Sequence, residues 1–471
     1  MNPQQRERIR ENAKYLRNVR PIDPEEVSEY VDGQPHPAVV RRTLSEEAFD
    51  LGLVEREDGM FEPVGEDPVR PTFRGVEAFP ESAGRDLEDL LVERFGPDWH
   101  RGESGDRLRE SIRRLKDEYF RNEPVEYDEH AALAYAIYHL PDNYAVVQYV
   151  LDELAETGLL GRRLRILDVG AGVGGPALGV RDYLPDDALV EYHAVEPSPA
   201  ADVFDRLLAD AGRNVHPTVF RETAEAFDPD GDGEPYDLIV FANVLNELGD
   251  PEAVVDRYLD ALAADGAVLA IEPADRETAI GLRTVERAVA DDADRAAVYS
   301  PTLRLWPGER PTDRGWSFDV KPDLDVPTFQ RRLDEAGGAT GEFVNVDVQF
   351  AYSILRPDGR RRIEFEANSD WSAKMAEMER HVTERIDLVA VKLSHSLAEG
   401  DRNPLFKIGD GSQSSDHFAV LTNETALNAD LRTADYGDLL SFEQVLALWN
   451  DDEEAYNLVV DEDTVVDRIP A

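Results

Sequence analysis

The chain has 471 residues, 99 of them acidic against 50 basic, for a net charge of −49, and no cysteine. That length exceeds one hydrophobic core, and a hydrophobic fraction of 42% excludes disorder of the whole, so two to four domains are expected. Without cysteine there are no disulfides, thiolate metal sites or cysteine nucleophiles. The nine scattered histidines include no pair at metal-ligand spacing, so no metal site is expected. The polar N-terminus and the lack of any long apolar run leave neither a signal peptide nor a membrane span in the expectation. Only six of the basic residues are lysine, and the rest are arginine. Such a surface repels itself in dilute salt, and at molar salt a Debye length of roughly 3 Å screens the repulsion. The composition therefore reads as that of a halophile's cytoplasmic protein. The acidity reports the solvent and does not argue against a nucleic-acid partner.

In chain order, residues 1–20 invert the charge. Arg6, Arg8, Arg10, Lys14, Arg17 and Arg20 stand against Glu7 and Glu11, six minus two, on a helical pattern with a basic face that suits RNA phosphates. Short helices are predicted at Pro24 to Tyr30 and Pro37 to Leu51, then a hairpin at Val54 to Val64 turning at Asp58-Gly59. Three helices and a hairpin resemble a winged helix; a helical cap on the core is the alternative. Residues 65–85 read as a linker. Amphipathic helices follow at 86–95 and 105–120. An apolar helix is expected over Ala131 to Leu140, ended by Pro141, with Asp142 as N-cap of another over Tyr144 to Glu156. His139 reads more readily as a satisfied, half-buried histidine than as a catalyst.

The stretch from Ile166 to Gly179, ILDVGAGVGGPALG, is a buried strand, a glycine turn and a helix start. Two cofactor readings compete. Gly170, Gly172 and Gly175 fit the dinucleotide pattern G-x-G-x-x-G. Asp168 followed by Gly170, Gly172 and Gly174 resembles motif I of class I S-adenosylmethionine methyltransferases. Asp168 favours the second, because a carboxylate meets a cationic amino-acid moiety but repels a pyrophosphate.

From Arg163 strands and helices alternate, as in a parallel sheet covered on both faces. The strand Leu189 to Glu196 ends in an acid suited to ribose hydroxyls, making Glu196 a second ligand residue. Thr223 and Ala224 follow the third strand, where an adenine edge would lie. After the fourth strand comes Asn243-Val244-Leu245-Asn246-Glu247-Leu248. It lacks the paired prolines and aromatic residue of amino-group methyltransferases, so Asn243 is a cofactor contact and the one weak catalytic candidate. Tyr299 to Phe318 interleaves Arg304, Arg310 and Arg314 with Trp306 and Trp316. That suits nucleobase stacking or a packed loop in equal measure. A strand pair at Val344–Leu355 and Arg361–Phe365, then a helix over 368–386, complete the region.

Residues 387–471 carry five strand-like runs with a short helix between the third and fourth, which is OB-fold topology. Phe406, Phe418 and Trp449 are candidates for a stacking platform. Against RNA, this segment has 18 acids and five basic residues, net −13.

Tyr135, His139, Pro141 and Tyr144, the motif I run, FANVLNEL and the loop ending Trp316-Ser317-Phe318 together resemble one family over residues 105–340. It is the mitochondrial small-ribosomal-subunit methyltransferase-like family, which also occurs in prokaryotes. The resemblance implies S-adenosylmethionine held by Asp168, Gly170, Gly172 and Glu196, and a partner in the small ribosomal subunit or its rRNA. The family's cysteine-bound metal or iron–sulfur centre is not expected here, so the loop over Tyr299 to Phe318 must be held by packing or arginine pairs. The fold class expected is α/β: a class I methyltransferase (Rossmann-like) core with an N-terminal winged-helix-like module and a C-terminal OB-fold-like domain. The divisions are 1–65, a lead-in over 66–160, 161–386 and 387–471. A non-catalytic assembly factor and a small-molecule methyltransferase are the alternatives.

Overall fold

A computed structural model describes residues 2–121, 128–231 and 233–470. They form two compact units, Met1–Ala242 with Asp323–Asp347, and Asn243–Pro322 with Val348–Ala471. Residues 161–386 contribute to both.

The first unit opens with helices Pro3–Leu16, Pro24–Tyr30 and Pro37–Glu46, each with proline in its first turn, a short helix Ala48–Leu51, and a hairpin of Leu53–Glu55 with Phe61–Pro63. The chain turns at Gly52, whose left-handed conformation ends the last helix. Ile22 joins the hairpin by exchanging backbone hydrogen bonds with Phe61 at 2.7 and 2.9 Å. Ile9, Ala13, Val27, Val40, Leu44, Leu53 and Phe61 give this module a core of its own. Its basic face is largely committed internally. Arg6 and Arg10 share Glu47 at 2.5 and 2.8 Å, Arg8 pairs with Glu11, Arg17 donates to the carbonyl of Leu51 and Arg20 pairs with Glu26.

Four parallel strands follow in the spatial order Val215–Phe220, Leu189–Val195, Arg163–Val169, Tyr236–Ala242. The helix Gly175–Tyr183 after the glycine turn packs closely on the long helix Glu129–Glu156. A Cβ on Gly179 would lie 2.3 Å from Val147 Cγ1 and 2.5 Å from the Tyr144 carbonyl, so only glycine permits the crossing. The expected break at Pro141 does not occur: one helix runs through it, and Asp142 is no N-cap. Proline lacks the N–H that would bond the carbonyl of Ile137. Gln330, fully buried, supplies the missing donor: its Nε2 reaches the carbonyls of Ile137 and Tyr138 at 2.9 and 3.3 Å.

In the second unit, Leu262–Pro273 pairs antiparallel with Val348–Arg356, which also pairs with Ala297–Ser300 and Asp319–Lys321. The expected strand Arg361–Phe365 does not form; its place beside Val348–Arg356 is taken by Ala297–Ser300. The expected helix over 368–386 is also absent. Asn368 accepts the N–H of Asp370 in a local turn, and only Met375–His381 is a short 3-10 segment.

The C-terminal strands Arg385–Lys392, Leu405–Gly409, His417–Leu421, Leu439–Asn450 and Ala455–Val460 close into a barrel. The third and fifth pair in parallel, and the first pairs with the fourth, the OB-like order. The last expected run splits: Thr464 and Arg385 hold Asp461, and Val465–Ile469 returns as a sixth strand along the fourth. Phe406 lies inside the barrel core and belongs to no surface platform, whereas Trp449 is 39% exposed.

The loop over 299–318 takes the packed form. Trp306 is buried and donates from Nε1 to Asp410 at 2.7 Å; Arg304 bonds Glu286 and Asp291 at 2.9 and 2.6 Å; Arg287 bonds Asp313 at 2.7 Å. Burial alone would raise the Glu286 carboxyl, but Arg283 and Arg304 outweigh it and hold it at about 2.

Gln330→Leu is expected to lower unfolding free energy by about 1–3 kcal/mol, the cost of an unsatisfied buried carbonyl, read from the urea midpoint in molar KCl. In a Pro141→Ala background residue 141 regains its N–H, and the same substitution should cost measurably less. An equal cost in both backgrounds would assign the contribution of Gln330 to its bonds with Tyr138 and with the backbone of Asn345, at 3.2 and 3.1 Å.

Candidate functional site

The first strand delivers Asp168 to the sheet edge with no solvent exposure. Its Oδ2 accepts the Tyr192 hydroxyl at 2.7 Å, while Oδ1 is buried with no partner. Burial pushes this carboxyl up to about 7, with the charge of Glu196 adding and the Tyr192 bond opposing. Gly170, Gly172 and Gly174 follow at φ of 72, 53 and 91°, the left-handed region that glycine enters without strain. The turn is tied to the neighbouring strand, since Gly170 and Ala171 both donate to the Val195 carbonyl at 2.9 and 3.1 Å.

Glu196 ends that neighbouring strand and is also buried, but its carboxylate is fixed by donors. Oε2 accepts the Gly172 N–H and Oε1 the Ser198 N–H, each at 2.9 Å. One carboxylate thus waits with an unsatisfied oxygen, and the other is oriented by backbone N–H groups with lone pairs to spare. An ammonium fits the first and a vicinal diol the second. The φ of Gly175 is not positive, and a Cβ there would lie 2.7 Å from Asn143 Cβ, so this glycine serves helix packing, a role that both cofactor readings allow.

Asp168, Gly170, Gly172, Gly174 and Glu196 are therefore brought together by the ends of two adjacent strands. Thr223 and Ala224 follow the third strand; Ala224 is buried, and Thr223 is exposed and accepts the Ala226 N–H at 3.3 Å. Asn243 opens the second unit. It holds φ 56°, an uncommon conformation for a non-glycine residue, and donates its N–H to Ile271 at 2.8 Å. The sequence reading missed Glu272. This carboxyl is 1% exposed, with Oε1 accepting the Leu245 N–H at 2.9 Å and Oε2 without a partner. Burial pushes it up to about 8, and Glu247 and Asp275 add to this. The signal was present: like Asp168 and Glu196, it is an acid closing an apolar strand.

Residues 167–268 match a family described as a methyltransferase domain. Residues 6–57 and 376–469 match the N-terminal and C-terminal domains of one family of unknown function, DUF8157. No curated protein matches the chain. Among solved structures, the plantazolicin methyltransferase BpumL in complex with SAH is 11% identical, with a TM-score of 0.30, covering 58% of this chain and 99% of its own. A SAM-dependent methyltransferase from Clostridium acetobutylicum is 13% identical, with a TM-score of 0.23, over 34% of this chain and 56% of its own. The glycopeptide N-methyltransferase MtfA complexed with SAM is 20% identical, with a TM-score of 0.23, over 28% of this chain and 57% of its own. With the strand order, Asp168 and the glycine turn, the family match defines a class I S-adenosylmethionine-dependent methyltransferase domain in this chain. Asp168 fits the ammonium of the cofactor's methionyl part, and Glu196 its ribose hydroxyls.

Ionised Asp168 is the form an ammonium selects. Below about 7 the carboxyl is protonated and must first lose its proton, so affinity for S-adenosylmethionine should rise with pH to about 7 and then level off. Calorimetry in buffers of different ionisation enthalpy should show proton release below that pH. Asp168→Asn should flatten the profile and weaken binding by about 10- to 100-fold, the worth of a charged hydrogen bond. The unliganded protein should behave oppositely. The carboxyl rises from 3.8 unfolded to about 7 folded, so its contribution to stability is complete below 3.8 and lost as pH rises through 7. At pH 8, Asp168→Asn should unfold at higher urea than wild type.

Proposed function

We propose that this protein methylates RNA of the small ribosomal subunit while the subunit is being assembled, with S-adenosylmethionine as methyl donor. The observation that carries this is the company the methyltransferase domain keeps. The N-terminal module and the barrel each have their own hydrophobic core. A methyltransferase for a small free molecule needs neither, whereas a large acceptor needs docking surfaces beside the chemistry. The resemblance over residues 105–340 supplies the acceptor's class. Helix, Ile22 bridge, two helices and hairpin is the order of a winged helix, and Tyr15, Val19 and Tyr30 on it are 72, 64 and 61% exposed. On the barrel, Trp449 lies beside Asp451, Asp452, Glu453 and Glu454, which repel phosphate and favour a protein contact within the particle.

The donor supplies an electrophilic methyl group on sulfur and leaves as a neutral thioether. The protein's part is to hold the donor's charged end at Asp168 and its ribose at Glu196, and to present the acceptor in line.

The test is mass spectrometry of small-subunit RNA from a deletion strain complemented with wild type or Asp168→Ala. A methyl group that vanishes on deletion and returns only with wild type is expected. An unchanged modification map, with an assembly defect that Asp168→Ala rescues, would make the protein a scaffold.

A further inference from the structure

Tyr135, His139 and Asn143 are spaced four residues apart on the long helix and so form one stripe along it. Asn143 is the end that touches the cofactor turn: its Cβ is what a side chain on Gly175 would strike. Its Nδ2 donates to the Tyr135 hydroxyl at 3.1 Å, and the Tyr135 and His139 rings lie 4.9 Å apart between centroids. His139 thus sits one helical turn from the start of the helix that follows Gly170, Gly172 and Gly174.

The two nitrogens of His139 have different surroundings. Nδ1 lies 3.1 Å from Asp142 Oδ2 and 3.3 Å from Asn345 Nδ2, and the amide makes its shorter bond, at 2.8 Å, to that same Asp142 oxygen. Nε2 has no hydrogen-bond partner among the described residues, and the side chain is 35% exposed. A carboxylate on Nδ1 places the ring proton there and leaves the Nε2 lone pair outward, the arrangement of a proton acceptor. The other charged and titratable groups around it are Asp347 on the segment bearing Asn345, Tyr138, 4.9 Å away between ring centroids, and Lys116, whose Nζ lies 4.1 Å above the Tyr138 ring.

We propose that His139 accepts the proton of the methylated atom, with Asp142 positioning its ring, and that the acceptor is a nitrogen still bearing a proton, as in an exocyclic nucleobase amine. This rests on the RNA methylation proposed above. The acceptor's lone pair forms the new N–C bond, and the methyl–sulfur bond breaks with its electrons going to sulfur. The surplus N–H proton then passes to Nε2. The imidazolium formed is stabilised by the Asp142 carboxylate and later returns its proton to solvent.

The experiment uses full-length protein in molar KCl, small-subunit particles from the deletion strain, and donor labelled in its methyl group. His139→Ala and the gentler His139→Gln should slow single-turnover labelling by about 100-fold or more while calorimetric affinity for the donor stays within about twofold. Added imidazole should restore part of the rate to His139→Ala but none to Asp168→Asn. Independently of turnover, ¹⁵N spectra of the neutral ring should place the wild-type proton on Nδ1, and Asp142→Ala should mix the tautomers. Wild-type labelling with an undiminished His139→Gln rate overturns this inference alone. Loss of donor binding together with the rate, or a wild-type proton on Nε2, also overturns it and makes His139 structural. A wild type that labels no particle overturns the RNA reading and the role of His139 with it.

Discussion

The close crossing of the long helix over the helix of the glycine turn is the constraint on which the cofactor-binding half depends. Gly175 and Gly179 have no side chains because Asn143, Tyr144 and Val147 occupy that space. The crossing fixes where the glycine turn begins and which face of the long helix meets it. A break at Pro141 would have freed Tyr135 and His139 from that register. Gln330 prevents it by serving the Ile137 carbonyl that proline leaves without a donor, and the Tyr138 carbonyl beside it. A side chain 189 residues from Pro141 in sequence therefore sets the line of residues beside the cofactor turn.

Three acids close apolar strands, and their surroundings give them different chemistry. Glu196 receives two backbone N–H groups and is held as an oriented acceptor. Asp168 receives one hydroxyl and keeps an unsatisfied oxygen. Glu272 receives the Leu245 N–H on one oxygen and nothing on the other. An unsatisfied buried carboxyl is costly, and burial raises the pKa of Asp168 and of Glu272 accordingly. Such cost is retained where a ligand removes it, which is why Asp168 reads as the anchor for a cationic group.

The large acidic surplus does not leave arginine idle. In the N-terminal module the basic residues mostly close ion pairs within the module. In the loop over 299–318, Arg304 pairs with Glu286 and Asp291, and Asp313 is held by Arg287. Planar guanidinium groups bridge several acids at once, so arginine can staple a loop in a chain without cysteine.

The sequence alone was enough to place the parallel strands, the glycine turn and the two acids at the strand ends, because each is written in local pattern: apolar runs, turn glycines, an acid closing a strand. The OB-like barrel was legible for the same reason: Gly409-Asp410 closes its second strand and Tyr436-Gly437-Asp438 opens its fourth. What failed was whatever depends on a partner far along the chain. Pro141 looked like a breaker because Gln330 cannot be paired with it from sequence. Phe406 looked available because alternation does not say which face of a curled sheet is inside. Trp306 and Arg304 suited nucleobase stacking and a packed loop equally, and only the bonds to Asp410, Glu286 and Asp291 chose the packed loop. Tertiary structure decided these points because hydrogen-bond partners and burial are properties of the packed chain, whereas strand periodicity and turn chemistry are properties of the local one.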